Sequence, residues 1–268
     1  GESPERWNVE RPDRIAAVHQ AYVDAGSQIV LSNTFGGNPF RLKLHGLSSR
    51  VAELNHAGAE IVRWVADEAG RPVVAAGSMG PSGELMEPLG TLTFEAARDG
   101  FAEQAAALEA GGVDVLWVET MSDLQEVRAA VEGAQQATSL PVVATMTFDT
   151  RGFTMMGVSP VQALDMLQAL GLAAFGGNCG NGPAEIEGVI RAMHERAPEA
   201  VLVAKSNAGI PEDVGGEIVY SGTPEVMARH AVTIYELGAR IIGGCCGSTP
   251  DHIRAMREAL QAALQPAP

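Results

Sequence analysis

Seven times along this chain a short apolar run leads into a loop-like stretch and then into a helical pattern. The runs fall at 28–31, 73–76, 115–118, 142–146, 173–175, 201–204 and 240–242. The helical stretches fall at 49–68, 93–110, 124–136, 160–170, 183–195, 224–237 and 250–264. Proline near the start of four of them, at 160, 183, 224 and 250, is the expected first-turn placement. Apolar strands alternating with helices predict a parallel sheet covered on both faces. A further helix at 12–25 precedes the seven units and has no strand before it. A closed (β/α)8 barrel has eight units in about 250 residues. The expected fold is therefore α/β, a (β/α)8 TIM barrel whose first strand is missing from this sequence. An open doubly wound sheet fits less well, because no G-x-G-x-x-G follows the first strand. With no linker or low-complexity stretch, residues 1–268 read as a single domain.

Composition narrows the partners. Among 268 residues, 46% are hydrophobic and 19% charged, and the formal net charge is −15. So acidic a chain is a poor match for nucleic acid or anionic membrane. No apolar run approaches the roughly 20 residues that span a bilayer. Reduced thiols and the lack of a targeting segment predict a cytoplasmic protein acting on small molecules. A homo-oligomer is compatible with this reading.

In a barrel of this kind the active site lies at the C-terminal ends of the strands. Those ends present 33–35 (Asn-Thr-Phe), 77–80, Glu119-Thr120, 147–149, Asn178-Cys179, 205–207 and Cys245-Cys246. All three cysteines of the chain are among them. Three thiolates fill three corners of a zinc tetrahedron and leave the fourth open, the catalytic arrangement. An all-sulfur set also favours a soft metal. A lone cysteine is often just a small buried hydrophobe, but an adjacent pair set in glycines argues against packing alone. Disulfides fit poorly too, because three is odd and neighbouring cysteines pair only with strain.

The other strand ends leave alternatives. Glu119 ends an apolar strand, as a structural ion pair with Lys205 or an arginine, or as a clamp for an amino acid's ammonium. Asn178 either satisfies the turn or holds substrate. Lys205 either neutralises the thiolates or pairs with Asp149. Trp7 lies in a stretch with no helical face, as packing or as a wall of the site. His19, His56, His194, His230 and His252 fall on predicted helices and His45 on a loop, at surface or core-edge positions.

The motifs at 177–179 (Gly-Asn-Cys), 243–247 (Gly-Gly-Cys-Cys-Gly), 118–120 (Val-Glu-Thr) and 33–35 together resemble the homocysteine S-methyltransferase family. That family includes betaine–homocysteine methyltransferases and the homocysteine-binding module of cobalamin-dependent methionine synthase. The similarity runs from about residue 7 to the last helix. Segments 41–45, 78–84 and 205–211 look most like bacterial betaine–homocysteine methyltransferases. The resemblance implies Zn2+ on Cys179, Cys245 and Cys246, with homocysteine sulfur completing the site and methionine as product. It implies that Glu119 holds the homocysteine ammonium, that backbone amides near Gly244 meet its carboxylate, and that Trp7 faces a quaternary ammonium donor. On position alone Phe35 joins the donor cage, with Phe148 and Tyr220 as further candidates. Betaine is the expected donor. S-methylmethionine and a methyl-corrinoid or folate partner are alternatives, and a non-catalytic zinc-binding module is the reading from another class. The family's first strand ends in an Asp-Gly-rich motif that contacts homocysteine, and this sequence begins after it.

Overall fold

A computed structural model describes residues 2–265. The strands are β1 (Ile29–Leu31), β2 (Val74–Met79), β3 (Val115–Met121), β4 (Val142–Met146), β5 (Ala174–Cys179), β6 (Leu202–Ser206), β7 (Pro211–Val214), β8 (Glu217–Tyr220) and β9 (Ala239–Gly244). The helices are α1 (Trp7–Glu10), α2 (Pro12–Ala25), α3 (Pro39–Lys43), α4 (Val51–Asp67), α5 (Phe94–Ala110), α6 (Leu124–Ala137), α7 (Pro160–Ala169), α8 (Pro183–Arg196), α9 (Pro224–Glu236) and α10 (Pro250–Leu264). Every strand and long helix expected from the apolar period is present. The β7–β8 hairpin, which pairs antiparallel as a separate two-stranded sheet, is additional. So are the short helices α1 and α3.

The main sheet is hydrogen-bonded in the order β1-β2-β3-β4-β5-β6-β9, which is chain order with the hairpin set aside. Registers β1–β2, β2–β3, β5–β6 and β6–β9 are parallel. This is the strand order of a (β/α)8 barrel, with seven of its strands among the described residues. No helix among those residues is long and apolar enough to cross a membrane.

The backbone groups into two compact units. The first runs to Ala144 and takes in Ala169–Ala173. Its strands read as unbroken apolar runs because both faces are covered: β3 buries all but one of its residues. Trp117, Leu116, Phe101 and Leu108 are the large side chains of this core. Helix starts are closed by side chains, as Thr93 accepts from the Ala96 amide and Asp123 from those of Gln125 and Glu126. The second unit holds Thr145–Gln168 and the chain from Ala174 onward, with β5, β6 and β9 under α8, α9 and α10. There Ala208, Met227, Ala231 and Met256 pack together, with Tyr220 against them.

Three histidines are more deeply placed than their helical pattern suggests. His19, His230 and His252 are all buried, and His230 and His252 find partners on segments distant in sequence. His19, on α2, has no hydrogen-bond partner for Nε2. Burial alone lowers its pKa from 6.5 to about 4. The folded state therefore prefers the neutral ring, whereas the unfolded chain protonates it near 6.5. Its contribution to stability is full above pH 6.5 and is lost progressively as pH falls from 6.5 to 4. The loss is about 3 kcal/mol at most. Urea titrations at several pH values should show the parent chain losing that much more stability than His19→Leu over this window. Parallel curves for the two proteins would refute it.

Candidate metal centre

The register of the second unit brings the cysteines together. Cys179 pairs with Ser206, and Ser206 pairs with Gly244. The last residue of β5 and the residue before the Cys245-Cys246 pair therefore flank the end of β6. Strands in a sheet stand about 4.8 Å apart, so side chains from β5 and β9 can meet only by turning over β6. The backbone does turn there. Cys179 has φ 60° and Gly180 φ 72°, so the chain after β5 bends through left-handed conformations. On the other side Gly247 has φ 80°, and a Cβ there would lie 2.4 Å from the Tyr220 ring that packs on it. Gly244 is equally constrained, since a Cβ would lie 2.2 Å from Ser248 Oγ.

The result is that Cys179 Sγ and Cys245 Sγ are 3.1 Å apart, and the three sulfurs lie within 4.8 Å of one another. All three cysteines are free. Sulfurs bound tetrahedrally at about 2.3 Å from one Zn2+ stand about 3.8 Å apart, so this donor set fits one ion with small rotations. Cys179 and Cys245 are half-buried and Cys246 is exposed, which leaves the cluster reachable from outside.

The surroundings favour a thiolate at Cys245. Hydrogen bonds from Cys179 and then Cys246 hold the Cys245 thiol well below the ordinary thiol range, and the Lys205 charge and the Asn178 amide add to the effect. Cys179 is pushed the other way, first by its bond to Cys245 and then by Cys246 and burial. The two shifts describe one event, in which Cys245 gives up its proton and Cys179 keeps one. Asn178 is fully buried. Its Nδ2 donates to Cys245 Sγ at 3.8 Å, and Thr145 Oγ1 donates to its Oδ1 at 2.6 Å.

Asn207 is a site residue whose role the sequence does not disclose. Its Nδ2 donates to the Gly180 carbonyl at 2.7 Å and its Oδ1 accepts from the Cys246 amide at 2.9 Å. One side chain thus ties the turn after β5 to the turn after β9. The Cys245 amide donates to the Ser206 carbonyl at 2.8 Å, closing the same frame.

Glu119, Trp7 and Phe35 lie in the first unit. Glu119 is buried at the end of β3, and Ser78 Oγ donates to its Oε1 at 2.6 Å. The next residue, Thr120, has φ 63°. Among the described residues only Thr120, Arg151 and Cys179 are non-glycine residues at positive φ. Two of these three are among the last residues of a strand, each directly after a candidate polar group (Glu119 or Asn178), and strain of this kind clusters at functional sites. Glu126, on α6, is a buried carboxylate that residue order does not single out. It accepts from Ser82 N and Ser82 Oγ, so α6 anchors the loop after β2, and burial raises its pKa despite those bonds.

Trp7 departs from the sequence reading, because it opens α1 rather than an irregular stretch. Arg14 on α2 stands over its ring at 5.6 Å, so one face already carries a cation. Phe35 is half-buried, and its ring lies where a Cβ on Gly80 would approach to 2.6 Å. Phe148 is fully buried, a core residue beneath Gly177 with no surface to offer a donor.

A family model described as Homocysteine S-methyltransferase matches residues 2–260. Methionine synthase of Mycobacterium tuberculosis is 36% identical over 264 residues, covering 94% of this chain and 22% of that protein. Methionine synthase of Mycobacterium leprae matches at the same identity and coverage. The chain thus spans about a fifth of the length of the curated relatives it matches. Among solved structures, the metallated form of the homocysteine methyltransferase MmuM from Escherichia coli superposes with a TM-score of 0.79 at 23% identity. That match covers 94% of this chain and 86% of that one, and it supports the barrel-type fold. Fold and strand-end chemistry define an α/β protein with a three-thiol centre. The chain belongs to the homocysteine S-methyltransferase family, a family of methyltransferases.

Proposed function

We propose that this chain transfers a methyl group to the thiol of homocysteine, giving methionine, with Zn2+ held by Cys179, Cys245 and Cys246. The observation that carries the reading is the convergence of three free thiols from two strand ends within 4.8 Å. The family match over residues 2–260 supports it, as do relatives named methionine synthase. Reading residues 1–268 as one catalytic barrel belongs to the same proposal. A reducing, cytoplasmic setting fits three unpaired cysteines.

Held by three protein sulfurs, Zn2+ would keep a fourth, substrate thiol ionised near neutral pH. The protein's own groups do the rest. Glu119, held by Ser78, supplies a buried negative charge for the homocysteine ammonium. Backbone amides near Gly244 meet its carboxylate, and Asn178, fixed by Thr145, orients the sulfur-rich end. With betaine as donor, the substrate sulfur forms a bond to the methyl carbon as the carbon–nitrogen bond breaks. The bonding pair stays on nitrogen and leaves a neutral amine. The proton of the thiol has already left, so no general base is needed at carbon. Charge is neutralised in this step, which a poorly solvated pocket favours. Trp7 and Phe35 are the aromatic groups assigned to the donor cation.

A second reading has an observation behind it. Trp7 already faces Arg14, and the 36% identical relatives are proteins some five times longer. Both favour a methyl group brought by a corrinoid- or folate-bearing partner, with S-methylmethionine, itself a cation, as the other alternative donor. The test is methionine formation by zinc-loaded protein from homocysteine with betaine, S-methylmethionine or a methyl-corrinoid, run in parallel. Turnover with betaine supports the first reading, and turnover only with another donor moves the assignment to it. Bound zinc with no turnover from any donor would make the chain a zinc-binding module and overturn the proposal.

A further inference from the structure

Beneath the thiol cluster runs a chain of three polar groups, two of them buried and the third, Glu187, half-buried, that neither the family motifs nor the proposed reaction uses. Ser206 Oγ and His230 Nε2 are 2.7 Å apart, and His230 Nδ1 and Glu187 Oε1 are 2.8 Å apart. Ser206 is fully buried, and the His230 side chain is 3% exposed. An ionised carboxylate cannot donate, so Nδ1 donates to Glu187, and in the neutral ring Nε2 then accepts from the Ser206 hydroxyl. The chain spans three elements: Glu187 lies on α8, His230 on α9 and Ser206 at the end of β6.

Ser206 is the residue on which the geometry of the centre turns. It sits in register between Cys179 and Gly244, and its carbonyl receives the Cys245 amide. The register with β9 shifts just upstream: Leu202 faces Ala239, but Val203 faces Ile241, so Arg240 is an extra residue. A bulge of this kind re-aims every residue after it. Without it, each later β9 residue would lie one place farther along β6, and Gly243 rather than Gly244 would stand near Cys179. A shifted strand needs an anchor beyond the shift, and the Glu187–His230 pair provides one from two helices.

We infer that His230, held by Glu187, is a positioning residue for the metal centre. By fixing Ser206 it sets the spacing of the two cysteine-bearing strands, and so the affinity of the three-thiol site for its metal. This rests on the metal-centre reading above. It adds that the site is preformed by an outer hydrogen-bond chain rather than by the cysteines alone.

The test compares the full parent chain with His230→Phe, Ser206→Ala, His230→Gln and Ile234→Val. Zn2+ affinity is read by competition with a chromogenic chelator. Thiolate-to-metal absorption is read after loading with Co2+. His230→Phe and Ser206→Ala should bind Zn2+ roughly 10- to 100-fold more weakly, as loss of outer partners commonly does, with an altered Co2+ spectrum. His230→Gln restores an acceptor toward Ser206 and should recover much of the affinity. Ile234→Val trims a fully buried side chain on the same helix and should lower the melting temperature with Zn2+ affinity unchanged. Parent affinity in His230→Phe would overturn the inference, as would an affinity loss that tracks melting temperature across all four variants. A parent chain that binds neither ion through thiolate would instead overturn the metal centre, and this inference with it.

Discussion

Changing Cys245 to serine should empty the metal site. Cys245 makes the 3.1 Å contact with Cys179, and it is the thiol whose surroundings most favour ionisation. A serine hydroxyl in its place stays protonated near neutral pH and is a hard donor in a set that selects soft metals. Removing a direct ligand should cost more than the 10- to 100-fold typical of an outer partner, so Zn2+ affinity should fall by well over about 100-fold. Methionine formation should fall below detection. The fold should survive, because the side chain is only half-buried and oxygen is smaller than sulfur. Elemental analysis after dialysis against a weak chelator, with a thermal melt of the same sample, reads both quantities. Zinc still bound at one ion per chain would remove the three-thiol centre from consideration.

Glu119→Gln should act on substrate binding and leave the metal alone. The carboxylate is buried at the end of β3 and receives the Ser78 hydroxyl. A buried charge is retained at the end of an apolar strand only where something compensates it. Glutamine keeps the shape and an acceptor for Ser78 but removes the charge offered to an ammonium. Losing one partner of a buried charge pair costs about 2 kcal/mol or more, so KM for homocysteine should rise at least about 30-fold. The turnover number should change little, because this contact is made equally in ground and transition states. A thiol acceptor without an amino group should not distinguish the two proteins. An unchanged KM would return Glu119 to a structural role.

Much of this was legible in residue order. The seven strand positions follow from largely apolar runs of three to five residues, because a strand covered on both faces is apolar at most positions. The helix starts follow from Pro160, Pro183, Pro224 and Pro250. The cysteines could be assigned to one place because a parallel α/β chain exposes its strand ends on one side. The β7–β8 hairpin was announced only by Gly215-Gly216 between short extended stretches, and it breaks the strand–helix alternation that organises the rest. Trp7 was harder, since a four-residue helix has too few turns to show a period.

What residue order determined by itself is therefore what repeats or is chemically singular: the α/β alternation, the three thiols, the acid at position 119. Tertiary structure alone decided which groups hold them. Asn207 reaches Gly180 and Cys246, and Ser206, His230 and Glu187 come together from three separate elements. Period and composition report only on neighbours a few positions away. A hydrogen bond between residues 24 or 43 positions apart exists only once the sheet register, including the shift at Arg240, has been set by packing.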